Sequence, residues 1–172
     1  TKDLSVTIEN SADSASILSL KRLLRYRLMW KDVKYEPGTV KVVAYDSHGK
    51  AVAEKEMHTA GKPDHIELVA DRRVIKADGK DLSFVTVKVV DKYGNLCPNA
   101  SHEVSFKVKG AGVYRAGANG NPCSLESFQH PKMKVFNGMM TVLIASTERP
   151  GKISIEAVGK GLKKGKLLIE SH

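Results

Sequence analysis

Apolar and polar residues alternate along much of the chain, and the clearest stretch is residues 81–109. Phe84, Val85, Val87, Val89 and Val90 are β-branched or aromatic, and Val104, Phe106 and Val108 recur at period two. Between the two runs lie Asp91-Lys92-Tyr93-Gly94-Asn95 and then Pro98. The pattern predicts a half-buried antiparallel strand pair, with Gly94 and Asn95 tolerating positive φ in the turn. Strands are also expected at 4–9, 26–30, 39–45, 51–58 (with Val52 facing inward), 65–70, 113–116, 134–146, 152–158 and 162–170. Asn137-Gly138 would mark a turn or bulge inside 134–146. Residues 15–25 fit either a short amphipathic helix or a strand.

Turn chemistry separates these runs. Tyr35 to Gly38, Asp46 to Lys50, Lys76 to Lys80 and Gly159 to Gly161 carry Gly, Pro or Asp where turns need them. Gly110 to Pro122 reads as loop around its short strand. Thr59 to Asp64 holds both helix and strand breakers and reads as a boundary between domains. About seven strands in ~105 residues is the spacing of an immunoglobulin-like sandwich. The expected fold is therefore all-β, two tandem immunoglobulin-like β-sandwiches, at 1–60 and 65–172. The completeness of the first stays open.

Charge adds a question. The chain carries 28 Lys and Arg against 19 Asp and Glu, a net +9, so a polyanion partner must be weighed. Lys41, Lys88, Lys107, Lys109 and Lys134 alternate with apolar strand residues, as solvent-facing positions do. Lys21 to Arg27 and Lys160 to Lys166 lack the aromatics on which single-stranded nucleic acid stacks. A solvated face is the preferred reading, and no nucleic-acid partner is expected. No apolar run approaches the ~20 residues of a membrane span, and the N-terminus has no apolar signal core, so no membrane insertion is expected.

Candidate chemistry is sparse. Cys97 and Cys123 form no CxxC pair, which argues against zinc and leaves open one disulfide or two free thiols. His48, His58, His65, His102 and His130 are scattered, so no metal site is expected. Ser124, Ser127 and His130 lie close together without a nucleophile elbow, and no Gly-rich loop precedes a helix. No catalytic residue and no cofactor is expected. Asp46, Asp78 and Asp91 sit in turns, where Asx turns are commoner than calcium ligation. Trp30 reads as packing rather than as a sugar platform. A carbohydrate-contacting loop patch would comprise Tyr93, Tyr114, Asn119, Asn121, Glu126 and Gln129. The competing reading of residues 119–128 is a structural loop held by side-chain-to-backbone hydrogen bonds, with Phe128 and Phe136 anchoring it in the core.

Several segments carry a resemblance. Lys76-Ala77-Asp78-Gly79, Asp91 to Asn95, Pro98-Asn99-Ala100 and Val104-Ser105-Phe106 resemble the opening of invasin-type bacterial immunoglobulin-like domains. Tyr26 to Trp30 followed by Val33 to Lys41 is similar to a signature in the C-terminal region of bacterial β-galactosidases of glycoside hydrolase family 2. Thr59-Ala60-Gly61 resembles the link into the next domain there. Asn119 to Pro122, Glu126-Ser127-Phe128 and Val135 to Gly138 resemble that domain's ordered motifs. Asn10 to Ala15 fits the lead-in of the first module, but its Asn-Gly turn is replaced by Ser19 to Leu24, and the family's aspartate after Asn-Gly is Asn121 here.

The resemblance implies a non-catalytic accessory region of a larger enzyme that hydrolyses O-glycosidic bonds. Such hydrolysis uses two carboxylates, which in this family lie on a (β/α)8 barrel of ~250 residues, longer than the whole chain. The implied role is structural support or substrate access, and the implied partner is the catalytic domain of the same polypeptide. Glycan is a candidate partner in the alternative reading, an independent carbohydrate- or cell-surface-binding module. The implied location is periplasmic, cell-surface or secreted.

Overall fold

The structure is a computed structural model that describes residues 4–5, 34–46 and 48–172. The chain divides into two compact units, Thr1–Thr59 and Ala60–His172. The readings for residues 6–9, 15–25 and 26–30, Trp30 included, lie outside the described residues.

In the first unit, β1 (Leu4–Ser5) runs parallel to β2 (Thr39–Tyr45), and β2 pairs antiparallel with β3 (Ala51–His58). The β2–β3 hairpin closes at Asp46. Its Oδ1 accepts the N–H groups of His48 and Lys50, both at 2.9 Å. Val52 was expected to face inward, but it is 61% exposed, and every other residue of β3 is exposed too. Alternation names a face and not whether anything covers it.

The second unit is a sandwich of two sheets. The strands of the first sheet are β4 (His65–Ala70), β6 (Leu82–Val90), β8 (Gly112–Ala118) and β10 (Met139–Ser146). Those of the second are β5 (Val74–Ile75), β7 (Glu103–Gly110), β9 (Lys132–Lys134), β11 (Gly151–Gly159) and β12 (Gly165–Ser171). The first has the order β4-β6-β10-β8 and the second β5-β12-β11-β7-β9. Period two places one set of side chains between the sheets. Val85, Val87 and Val89 of β6 and Val142 and Ile144 of β10 face Val104 and Phe106 of β7 and Ile153 and Ile155 of β11. Full burial of each such side chain stabilises by about 1.5–3 kcal/mol.

Three expectations change in this unit. First, β6 and β7 are not a pair: each lies in a different sheet. After the Asp91 turn only Leu96 and Cys97 return along β6, through the Val90–Leu96 bridge and the Cys97 N–H to Val89 carbonyl bond. Pro98 has no N–H to continue a ladder, so the chain crosses over and starts β7 at Glu103. Second, the strand expected at 113–116 runs the full length of β8. A bulge opposite Leu143–Ile144 pairs Tyr114 with Ile144 and Ala116 with Leu143, and it turns Tyr114 inward. Third, 134–146 is not one strand. Asn137 (φ 50°) and Gly138 (φ 74°) form a two-residue hairpin turn, closed by Phe136 and Met139. This turn carries the chain from one sheet to the other. A Cβ at Gly138 would collide with the Cys97 carbonyl oxygen, so the position requires glycine.

Candidate functional site

Strand register gathers several loops at one end of the sandwich. Lys88 of β6 pairs with Met139, and Ala118 of β8 pairs with Thr141, so both strands finish where β10 begins. The 91–102 connection and the start of the 119–131 loop therefore share that end with the Asn137-Gly138 turn. The residues expected to contact carbohydrate all lie on these two connections or on β8.

The Asp91 turn begins with a buried charge. Asp91 is only 1% exposed, yet its carboxylate accepts four hydrogen bonds. Oδ1 takes the N–H groups of Tyr93 and Asn95, both at 2.9 Å. Oδ2 takes the Gly61 N–H at 2.8 Å and the Asn95 side-chain amide at 3.1 Å. These donors, Gly61 foremost, hold the Asp91 carboxyl far below the usual carboxylate range. Next to it the Cys97 thiol is buried and pushed upward by desolvation and by the Asp91 charge. Cys97 and Cys123 are both free, the first buried and the second exposed. Tyr93 is 76% exposed at the tip, with the Lys92 ammonium 4.6 Å from its ring centre.

The 119–131 loop is organised around Glu126. Its carboxylate accepts the Lys134 N–H at 3.1 Å, the Asn119 side-chain amide at 3.3 Å and the Ser124 hydroxyl at 3.3 Å. Asn119 also donates to the Lys134 carbonyl and accepts from the Asn121 N–H, and Asn121 accepts from the Cys123 N–H. The structure thus brings Asn119, Asn121 and Glu126 together, and the Asn119 and Glu126 side chains and the Asn121 side-chain oxygen all bond within the loop or to β9. Tyr114 stacks on Phe106 at 6.0 Å and donates its hydroxyl to the His130 carbonyl at 2.9 Å. Burial raises its pKa, so it remains a donor. Gln129 is exposed, and Tyr93 sits on the separate 91–95 turn.

The expected anchoring by aromatics is not what holds this loop. Phe128 is 60% exposed and Phe136 38% exposed. The Phe128 carbonyl instead accepts the Gly117 N–H, so the loop lies along the outer edge of β8. That bond takes up the Gly117 N–H, which is then not available to pair with another chain. Sequence reading missed this because a backbone bond leaves no trace in residue type.

Asp46, Asp78 and Asp91 each accept backbone N–H groups within their own turns, as Asx turns do. Among the described residues no group of three metal-ligating side chains is close enough to hold an ion. Asp64 is paired with Lys163 (2.9 Å) and His65 (2.9 Å), and the Lys163 and His65 bonds lower its pKa. The Ser124 hydroxyl is directed at Glu126 rather than at His130. No helix among the described residues is long and apolar enough to cross a membrane.

The family model described as glycoside hydrolase family 2 C-terminal domain 5 matches residues 66–167, from β4 into β12. The chain belongs to this family. A second family model, a domain of unknown function, matches residues 10–53. Several glycosidases resemble the chain in sequence and structure. "Beta-galactosidase BoGH2A" of Bacteroides ovatus is 49% identical over 152 residues, 88% of this chain and 18% of that protein. A "Beta-galactosidase" of Thermoanaerobacter pseudethanolicus is 36% identical over 109 residues, 63% of this chain and 13% of that protein. A solved β-glycosidase from Bacteroides vulgatus superposes with a TM-score of 0.77 at 33% identity, over 80% of this chain and 18% of that one. A family 2 member from Bacteroides cellulosilyticus gives 0.75 at 34% identity, over 81% and 18%. The chain spans less than a fifth of the length of these relatives.

Proposed function

We propose that the chain is a non-catalytic accessory region of a larger, β-galactosidase-like glycoside hydrolase of family 2. It acts in structural support of the catalytic domain or in access of substrate to it. The single observation carrying this reading is the alignment to Beta-galactosidase BoGH2A: it takes in nearly all of this chain but only 18% of that protein. The catalytic apparatus of the parent then lies outside these residues. In this reading the chain holds two accessory β-sandwiches divided near residues 60–65, and works in the periplasm, at the cell surface or outside the cell.

The test compares the parent protein with a version truncated before Thr1, on an aryl galactoside. Loss of folding, activity or substrate preference on truncation is the expected outcome. The isolated chain should release no aglycone. An unchanged truncated enzyme, or hydrolysis by the isolated chain, would overturn the proposal.

The alternative, an independent glycan-binding module, draws less support from the 119–131 loop. Asn119, Glu126 and Tyr114 already use their side-chain polar groups internally, and the Asn121 side-chain oxygen accepts the Cys123 N–H. A sugar contact at this end would rest on Tyr93, Gln129 and the side-chain NH2 of Asn121.

A further inference from the structure

The two outer faces of the sandwich in the second unit differ in character. The outer face of the β4-β6-β10-β8 sheet exposes Val69, Phe84 and Val113. The outer face of the other sheet is cationic. Lys107 and Lys109 of β7, Lys152 of β11 and Lys166 of β12 are all exposed, alternating with the buried Phe106, Ile153 and Leu167. Register sets them in a grid. Lys107 lies opposite Glu156, which lies opposite Lys166. Lys109 is opposite Ser154, and Lys152 is opposite Glu170. Steps of this grid are roughly 4.8 Å between strands and roughly 6.8 Å along a strand.

The acidic residues of this face have other partners. Glu103 pairs with Lys132 at 2.9 Å, Glu156 with Lys164 at 3.5 Å, and Glu170 faces His172 at 3.9 Å. Lys107, Lys109, Lys152 and Lys166 make no ion pair among the described residues. Exposed and regularly spaced ammonium groups attract a polymer of opposite charge.

We propose that this face binds an acidic, carboxylate-bearing polysaccharide. Two features separate that partner from nucleic acid. β7, β11 and β12 expose no aromatic side chain on which a base could stack: their exposed apolar residues are Val158 and Leu168. The interleaved glutamates also dilute the positive charge. Duplex DNA presents one charge per ~1.7 Å, whereas a polyuronate carries one carboxylate on each sugar or each second sugar, a spacing closer to that of the lysines. The inference stands apart from the accessory role: a parent that tolerates truncation would leave it untouched, and failure of binding would leave the accessory role untouched.

The test retains the full 172-residue chain on immobilised polygalacturonate at low ionic strength. K107Q/K109Q/K152Q/K166Q is compared with K62Q/K76Q/K80Q/K160Q, which removes the same charge from turns and the inter-unit segment. Thermal melting checks that each variant folds. The face variant should bind at least about tenfold more weakly and the turn variant less than about threefold, with the wild-type contact weakening as salt rises. Should the face variant not fold, amide shifts of the wild-type chain on adding polygalacturonate provide the second readout. They should map to β7, β11 and β12 and spare β6 and β10. Equal losses in the two variants, no retention, equal retention on fully methyl-esterified pectin, tighter binding to single-stranded DNA, or shifts confined to β6 and β10 would each overturn the proposal.

Discussion

The same five-residue turn occurs once in each unit, in two different settings. Asp46-Ser47-His48-Gly49-Lys50 and Asp91-Lys92-Tyr93-Gly94-Asn95 share the Asp-x-x-Gly pattern. In both, the first N–H donates to the fifth carbonyl at 2.9 Å, and the glycine N–H donates to the aspartate carbonyl at 3.1 Å. In both, the aspartate Oδ1 accepts the third and fifth N–H groups at 2.9 Å. The difference is the second carboxylate oxygen. In Asp91 it reaches Gly61 and the Asn95 side chain, inside a buried site. Asp46 sits in an exposed hairpin. Local sequence specifies the turn, and tertiary context decides how much the rest of the unit depends on it.

The largest expected effect comes from removing the carboxylate. Asp91→Ala strands four donors, Gly61 among them, and should lower the melting temperature by roughly 10 °C or more, whereas Asp46→Ala should lower it by less than about 3 °C. Equal losses in thermal melts would show that both turns contribute only locally.

Acid should reveal the same asymmetry. Asp91, Asp64, Asp78 and Asp81 all have folded pKa values below their ordinary ones. Their stabilisation is complete above the unfolded carboxylate range near ~4 and is lost as pH falls through the folded values. Stability should therefore hold between about pH 5 and 7 and drop below about pH 4, and Asp91→Asn should flatten that drop. Urea titrations at stepped pH would measure it, and an unaltered slope in the variant would contradict the role of Asp91.

A smaller loss is expected at the donor. Gly61→Pro removes the N–H that reaches Asp91 and should cost about 1–3 kcal/mol, while Gly61→Ala, whose Cβ would meet Asp91 Oδ2 at 3.4 Å, should be nearly neutral. Chemical denaturation of the two variants decides this. The smallest difference concerns the glycines. Gly94 (φ 86°) and Gly49 (φ 76°) both have open space where a methyl group would stand, so alanine at either should cost about 1–2 kcal/mol of backbone strain, equally. Unequal costs would mean that the turns differ even in their backbone.

Much of the sandwich in the second unit was legible in residue order. Val85, Val87 and Val89, like Ile153 and Ile155, alternate and are buried. Asn137-Gly138 was legible as a turn or a bulge, without the change of sheet that it makes, and the aspartates of the Asp-x-x-Gly motifs were legible as Asx turns. What alternation does not encode is the partner: β6 and β7 look like two arms of a hairpin but contribute to opposite sheets. Asp91's bond to Gly61 spans 30 positions and has no local signature. At the candidate loop, residue types suggested sugar contacts, yet Glu126 and Asn119 use their polar atoms to hold the loop together. A side chain that could bind outward and one that is already satisfied inward look the same in a sequence.

The segment leading into β4 has a mechanical meaning. The Gly61 N–H is held by Asp91, the Asp64 N–H by the Val90 carbonyl, and the Asp64 carbonyl by the Lys163 N–H. Tension applied to the chain at Ala60 would first strain these short crosslinks, which lie at a single end of the sandwich. The ladders of β4 would be loaded only after the crosslinks yield. The buried aspartate thus acts as a strain relief, much as a cable clamp spares the joint behind it.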